Sequence, residues 1–379
     1  MAGQIVVAPD KFKGSLSAAA AAAAIRRGLH RFDPSLDVRE CPVADGGEGT
    51  LAAAVAAGFE IIPLTAPGPS GDPVSTSFVR KGQAAVIEMA DVSGLGRLPG
   101  GVRMPMQASS RGLGVLVARA LDLGCRHIVV GIGGSACTDG GSGFLTGLGA
   151  VITDGHGRLL PDGGGPLASA AELDLTQLHP GLRGATLTIA SDVDNPLCGP
   201  YGAAAVYGPQ KGATADNVAR LDAALTHWSV LVAQTTGREV RDAPGAGAAG
   251  GVGFAAMAVL GAEMRAGIDV VLDLVELDVH LDGAAAVITG EGCLDGQSLR
   301  GKAPVGVGAR ARSRGIPAVA IVGRSKLSAA EIARSPFAGV YSLEEMEPDL
   351  SRAMAEAADL LAAVGHNVAR ERLLPFDRS

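Results

Sequence analysis

Short apolar runs alternate with segments of helical periodicity at both ends of the chain. Gln4 to Ala8 predicts a first strand, and Pro9 to Gly14 its loop. Ser15 or Ser17 is placed to cap the Ala-rich helix that follows. Val38 to Val43 predicts a second strand, leading through a polar glycine loop, Ala44 to Thr50, into an apolar helix, Leu51 to Ala57. The same rhythm recurs at Gly112 to Leu123 and His127 to Ile132, the latter ending in the glycine-rich stretch Gly131 to Gly149. Near the C-terminus, Ala284 to Ile288, Pro317 to Val322 and Ala338 to Ser342 predict strands. Pro304 to Arg314 and about Asp349 to Val364 predict helices.

Two regions break this rhythm. Phe59 to Leu64, Val74 to Val79 and Ala84 to Met89 are β-like runs separated by Pro/Gly turns with no helix between them, which predicts an antiparallel piece. From about Val151 to Met264 the chain is irregular, with a strand at Ala185 to Ala190, a helix over Asn217 to Thr235 and a second glycine cluster at Pro244 to Gly253. The expected organisation is one α/β domain with a parallel sheet, built from 1–58, 106–150 and 265–379. A smaller α+β domain, built from 59–105 and 151–264, is inserted into it.

In open parallel sheets, ligands sit beyond the carboxyl ends of the strands. Four predicted loops of that kind carry an acid, at Asp10, Asp45, Asp139 and Glu291, and are expected at one sheet edge. Two motifs inside them are decoys. Gly131 to Ala136 fits a dinucleotide fingerprint, but the turn continues through Thr138 to Gly143 instead of opening a helix. Gly296 to Lys302 fits GxxxxGK, yet Ala303 stands where a Walker loop needs Ser or Thr for Mg²⁺.

Composition narrows the chemistry. Glycine makes up 55 of 379 residues, about twice the usual ~7%, without a Gly-X-Y period. The net charge of −7 and 3% aromatic content argue against a nucleic-acid or acidic-membrane partner. Five scattered cysteines lack CxxC spacing and fit a reducing cytoplasm better than a disulfide framework or zinc site. The run Ala18 to Ala24 reads as a helix rather than a leader, and no span reaches membrane length. No histidine falls in the acidic glycine loops, so a His-based hydrolase is disfavoured, and Ser135 lacks the GxSxG spacing of a nucleophile.

What remains is carboxylates, lysines and glycine backbone. Phosphoryl transfer asks for N–H donors and cations around phosphates, carboxylates for Mg²⁺, and a carboxylate near the accepting hydroxyl. The acidic candidates are Asp45, Asp139, Asp192, Asp194, Glu291 and Asp295; the basic ones are Lys11, Lys13, Lys211 and Lys302. A nicotinamide-dependent hydroxy-acid oxidoreductase and a non-catalytic binder of a small acid stay open at this level.

The chain resembles bacterial glycerate kinases of the glyoxylate-pathway type. The resemblance is carried by Ala8 to Ala18, Ala44 to Thr50 (ADGGEGT), Gly133 to Gly143 (GGSACTDGGSG) and Ser191 to Gly199 (SDVDNPLCG). It continues through Gly208 to Ala213 (GPQKGA), Gly245 to Gly251 and Thr289 to Pro304. Lys11, Cys137 and Cys293 depart from the family pattern.

The resemblance implies a Rossmann-like domain with an inserted domain, a cleft between them, and ATP- and Mg²⁺-dependent phosphorylation of D-glycerate. The product is expected to be 2-phosphoglycerate, with 3-phosphoglycerate the alternative. On this reading Asp192 is the first choice for general base and Asp45 the second. Lys13 and Lys211 hold the glycerate carboxylate or the transferring phosphate. Gly133, Gly134, Ser135, Thr138, Gly290 and Lys302 serve the nucleotide, and Asp139 and Glu291 place Mg²⁺.

Overall fold

The computed structural model describes residues 3–373. In chain order the strands are β1 (Gln4–Pro9), β2 (Val38–Glu40), β3 (Glu60–Pro67), β4 (Pro73–Lys81), β5 (Ala84–Glu88), β6 (His127–Gly131) and β7 (Val151–Asp154). They continue with β8 (Ala170–Asp174), β9 (Thr186–Ala190), β10 (Glu263–Arg265), β11 (Ala284–Leu294), β12 (Ala318–Ser325) and β13 (Gly339–Ser342). The chain divides into two compact units. One holds the residues up to Gly58 and from Ile268 on, and the other is the continuous stretch Phe59–Gly267.

The first unit is built on a five-stranded sheet of order β13-β12-β11-β1-β2, parallel throughout. Its strands are apolar on both faces because helices cover both. Val6, Ala8, Val287, Ala320 and Val322 face one core with Val271, Leu281 and Val307. Ile5, Val7, Ile288, Val319 and Ile321 face the other, with Ile25, Leu29, Leu361 and Val364. The helix Ala18–Phe32 supplies part of that second layer. It starts at Ser17, whose side chain accepts the Ala20 N–H at 3.2 Å, so the cap falls on the second of the two candidate serines. This helix packs closely on the helix Ala357–Val368: a Cβ at Gly28 would lie 2.0 Å from the Ala362 carbonyl oxygen.

The second unit carries a six-stranded sheet of order β10-β9-β6-β5-β4-β3, with β3, β4 and β5 antiparallel and β5, β6, β9 and β10 parallel. A two-stranded antiparallel ribbon, β7-β8, stands apart. The α/β class and the antiparallel reading of 59–89 hold. The assignment of 106–150 to the first domain does not agree with this division. The apolar strand β6 in that segment pairs with β5 on one side and β9 on the other, so the returning helix–strand rhythm marks a second α/β layer. The smaller expected insertion is thus part of a larger unit with two cores of its own, one around Phe78, Leu116 and Val130, the other around Leu225, Trp228 and Phe254.

Candidate functional site

Three strands of the first unit end together. β1 runs into Asp10, whose N–H donates to the Gly290 carbonyl at 2.8 Å and so ties the loop to β11. β2 is followed by the loop containing Asp45, and β11 itself carries Glu291. Beyond these ends lies a cavity of about 580 Å³. Asp10, Asp45 and Glu291 line it together with Lys11, Lys13 and Lys302.

The carboxylates are not equivalent. Asp10 is 9% exposed, and burial pushes its carboxyl up to about 7. The Lys11 N–H opposes that shift, while the charges of Asp45 and Glu291 add to it. Glu291 is 7% exposed and is also raised by burial, against the pull of Ser298 and Lys302. Its Oε1 is fully buried and has no hydrogen-bond partner among the described residues. A buried carboxylate oxygen without a donor suits a cation. Asp45 is half-buried, and its Oδ1 accepts the Gly47 N–H at 3.3 Å.

The lysines differ as well. Lys11 donates to the Glu48 carbonyl and reaches the Glu48 carboxylate at 3.2 Å. Lys13 is exposed. Lys302 is the N-cap of the eleven-residue helix Ala303–Ser313, which has a proline in its first turn, so its charge sits beside the positive end of the helix dipole. The GxxxxGK decoy is spent internally: the Gln297 and Ser298 N–H groups donate to Asp295 Oδ1 at 2.9 and 3.2 Å. Gly290 is buried. It lies inside β11, where a Cβ would be 2.0 Å from the Ile321 carbonyl oxygen, so glycine there serves sheet packing.

The remaining expected residues lie in the second unit, so the four acidic loops do not share one sheet edge. Asp139 is fully buried. Its Oδ2 accepts the Ser110 N–H and hydroxyl, both at 2.8 Å, and the Gly143 N–H at 3.3 Å; its Oδ1 accepts the Gly141 N–H at 3.1 Å. Burial raises its pKa and these donors oppose the rise. With both oxygens occupied and no exposure, Asp139 is built as an anchor for its own loop and does not fit a Mg²⁺ ligand.

Lys211 is 2% exposed, and its ammonium donates to the Cys137 carbonyl. Burial lowers its pKa, with Cys137 and Asp139 opposing. From there it braces the loop that Asp139 anchors. Thr138 is fully buried too, and its hydroxyl is unpartnered among the described residues. Gly133 and Gly134 are exposed after β6, whereas Ser135 is buried. Asp192 is exposed beyond β9, and its Oδ1 accepts the Gly267 N–H at 2.8 Å.

The sequence reading passed over Asp10 as a site residue, although it sits first in the Asp10-to-Gly14 loop. Its signal was positional: an acid directly at the carboxyl end of a central parallel strand. Among the described residues no cluster of three or more His, Cys, Asp or Glu could hold a metal by itself. Mg²⁺ commonly takes one or two carboxylates and completes its shell with phosphates and water, so Glu291 with Asp45 or Asp10 is a sufficient protein contribution.

Comparison with known proteins decides the class. The model of the glycerate kinase family matches residues 5–373. The chain belongs to the glycerate kinase family. It is 41% identical over 369 residues to "Glycerate kinase" of Bacillus subtilis strain 168, covering 97% of each chain. It is 40% identical over 370 residues to "Glycerate 2-kinase" of Escherichia coli K12, again covering 97% of each. A crystal structure described as that of a "putative glycerate kinase 2 from Salmonella typhimurium LT2" superposes with a TM-score of 0.88 at 40% identity, covering 98% of each chain. The family is one of phosphotransferases, which is the chemistry that the carboxylates and lysines of the cavity suit. Among the described residues, no helix is long and apolar enough to cross a membrane.

Proposed function

We propose that the chain transfers the γ-phosphoryl group of ATP to the 2-hydroxyl of D-glycerate. The observation that carries this reading is the cavity at the ends of β1, β2 and β11, where Asp10, Asp45 and Glu291 face Lys11, Lys13 and Lys302 in a chain of this family. The hydroxyl oxygen attacks the γ-phosphorus, the bond from phosphorus to the bridging oxygen breaks, and the hydroxyl proton passes to a carboxylate. Lys13 and Lys302, which line the cavity, would meet the phosphate charge. Asp10, raised to about 7, and Asp45 are the first-unit candidates for that carboxylate, because a base works best when its pKa lies near the working pH. Asp192 is the candidate from the second unit, and Gly133 to Ser135 are its candidate phosphate donors.

Mg²⁺, when bound, would neutralise phosphate charge, with Glu291 its first protein ligand through the unpartnered Oε1. Five free thiols fit a reducing compartment, and the reaction is assigned to the cytoplasm. The choice of the 2-hydroxyl is supported by the name of the Escherichia coli relative. Incubation with ATP, Mg²⁺ and D-glycerate, followed by ³¹P and ¹H NMR of the product, tests both points. 2-Phosphoglycerate is expected. Formation of 3-phosphoglycerate would move the reaction to the other hydroxyl, and binding of NAD(P)H with no turnover of ATP would replace the reading altogether.

A further inference from the structure

The cavity at the ends of β1, β2 and β11 is lined by two chemical kinds of residue. One kind is charged: lysines, Arg324 and carboxylates. The other is an apolar wall of Leu343, Leu350, Ala353, Met354 and Ala357, from the C-terminal segment of the first unit. Leu350 is 57% exposed and Met354 37% exposed, although both border a cavity with room to cover them. D-Glycerate has three carbons, each bearing oxygen, and gives such a wall nothing apolar to cover. A volume of about 580 Å³ is also far more than that acid fills, and falls within the ~300–1,000 Å³ typical of sites for larger ligands.

We propose that this wall holds the purine base of the nucleoside triphosphate, with the phosphates directed toward Lys13 and Lys302. The inference rests on the kinase reading above and deepens it by giving the nucleotide an orientation within the first unit. Three observations support it. The wall is apolar and carries a methionine, whose polarizable thioether packs well on an aromatic face. The wall is also held to the lysine loop. The Ser15 hydroxyl donates to the Met354 carbonyl at 2.7 Å, and a Cβ at Gly14, which has φ +79°, would lie 2.9 Å from Met354 Cε. The base end and the phosphate end are therefore parts of one braced surface. Finally, cations for the phosphates line the same cavity: Lys13 on the loop that touches the wall, Lys302 at the start of the helix Ala303–Ser313, and Arg324.

The test uses the full chain with Leu350→Ser and Met354→Ser, singly and together. Both side chains are substantially exposed, so the variants are expected to fold, as far-UV circular dichroism and thermal melting would verify. Calorimetry then measures ATP and inorganic tripolyphosphate, the latter probing the phosphate end alone. The double variant is expected to bind ATP about tenfold or more weakly and tripolyphosphate within about twofold of the parent. Met354→Leu should restore most of the ATP affinity of Met354→Ser.

Unchanged ATP affinity in the double variant overturns the proposal, as does an equal loss of both ligands. The two levels of inference fail separately. A parent protein that phosphorylates D-glycerate while the double variant binds ATP normally loses only the base subsite. A parent that transfers no phosphoryl group loses the kinase reading, whatever the variants bind.

Discussion

At the scale of single residues, the fold separates acids by what surrounds them. Asp10 and Asp139 are both buried aspartates in loops that follow parallel strands, yet Asp139 has four donors on its two oxygens, whereas Asp10 has its own neighbour's N–H and two further carboxylates nearby. The Asp10 carboxyl is raised from 3.8 to about 7, so the folded state holds its proton more tightly than the unfolded chain does. The stability tied to that proton is complete below pH 3.8 and is lost as pH rises through 7, by about 4 kcal/mol in order of magnitude. Asp10→Asn keeps the shape without the charge. In the ligand-free protein, the variant is expected to melt above the parent at pH 8 by a clearly larger margin than at pH 5. Thermal melts at the two pH values decide it, and equal margins would show that Asp10 ionises freely. If Asp10 is also the base, the same variant loses about 10²- to 10⁴-fold in kcat.

Lys211 gives the opposite kind of prediction. Its ammonium is spent on the Cys137 carbonyl, away from solvent. Lys211→Met leaves that carbonyl without its donor, which costs about 1–3 kcal/mol. A lowered urea midpoint is expected, with kcat of the folded protein changed less than about tenfold. A loss of kcat of about 10³-fold or more at unchanged stability would return Lys211 to the chemistry.

At the scale of elements, the strands of the first sheet were legible because burial on both faces writes them as unbroken apolar runs. The Ala-rich helix was legible because Ser17 precedes it as a cap. The hairpin of β3 and β4 was legible through its Pro/Gly turn. What could not be read was partnership. β6 looks like any central parallel strand, and nothing in His127 to Gly131 says that it pairs with β5 and β9 rather than with β1. Because Asp139 follows β6, its loop was placed at the wrong edge and its carboxylate given a metal. Burial was equally silent: the lysine in GPQKGA and the acid in TDGG read as polar residues in turns, while the fold closes over both. Asp45, Lys13 and Lys302 line the first-unit cavity because chain order puts them after first-unit strands, and Glu291 lines it from within β11.

Close packing of elements reaches the cavity indirectly. The helix Ala357–Val368 lies against the helix Ala18–Phe32 at Gly28, and the short helix Leu350–Ala355 just before it carries Leu350, Ala353 and Met354 of the apolar wall. Gly28→Ala forces the two apart and is expected to cost about 1–3 kcal/mol, read as a lower urea midpoint with little change in slope. An unchanged midpoint would mean that the contact yields without cost.

At the scale of the whole molecule, the order of the chain sets a folding problem. The first sheet pairs β1 with β11, so its two central strands come from segments separated by the entire second unit. The second unit is continuous from Phe59 to Gly267, completes its six-stranded sheet from its own strands, and keeps its two largest apolar clusters within itself. Sequence-distant pairings form slowly because the intervening loop must close first, whereas a continuous unit with its own core can fold alone. The fragment 59–267 is therefore expected to unfold cooperatively in urea with native far-UV circular dichroism. The fragment 1–58 is expected to stay unfolded, since β1 and β2 lose β11 and the helix Ala18–Phe32 loses Leu361 and Val364. If 59–267 lacks a cooperative transition, its sheet depends on the rest of the chain. If it folds, refolding of the full protein should show a fast phase matching the fragment and a slower one in which β11 finds β1, and ATP binding should return with the slower phase, because the candidate cavity needs both of those strands.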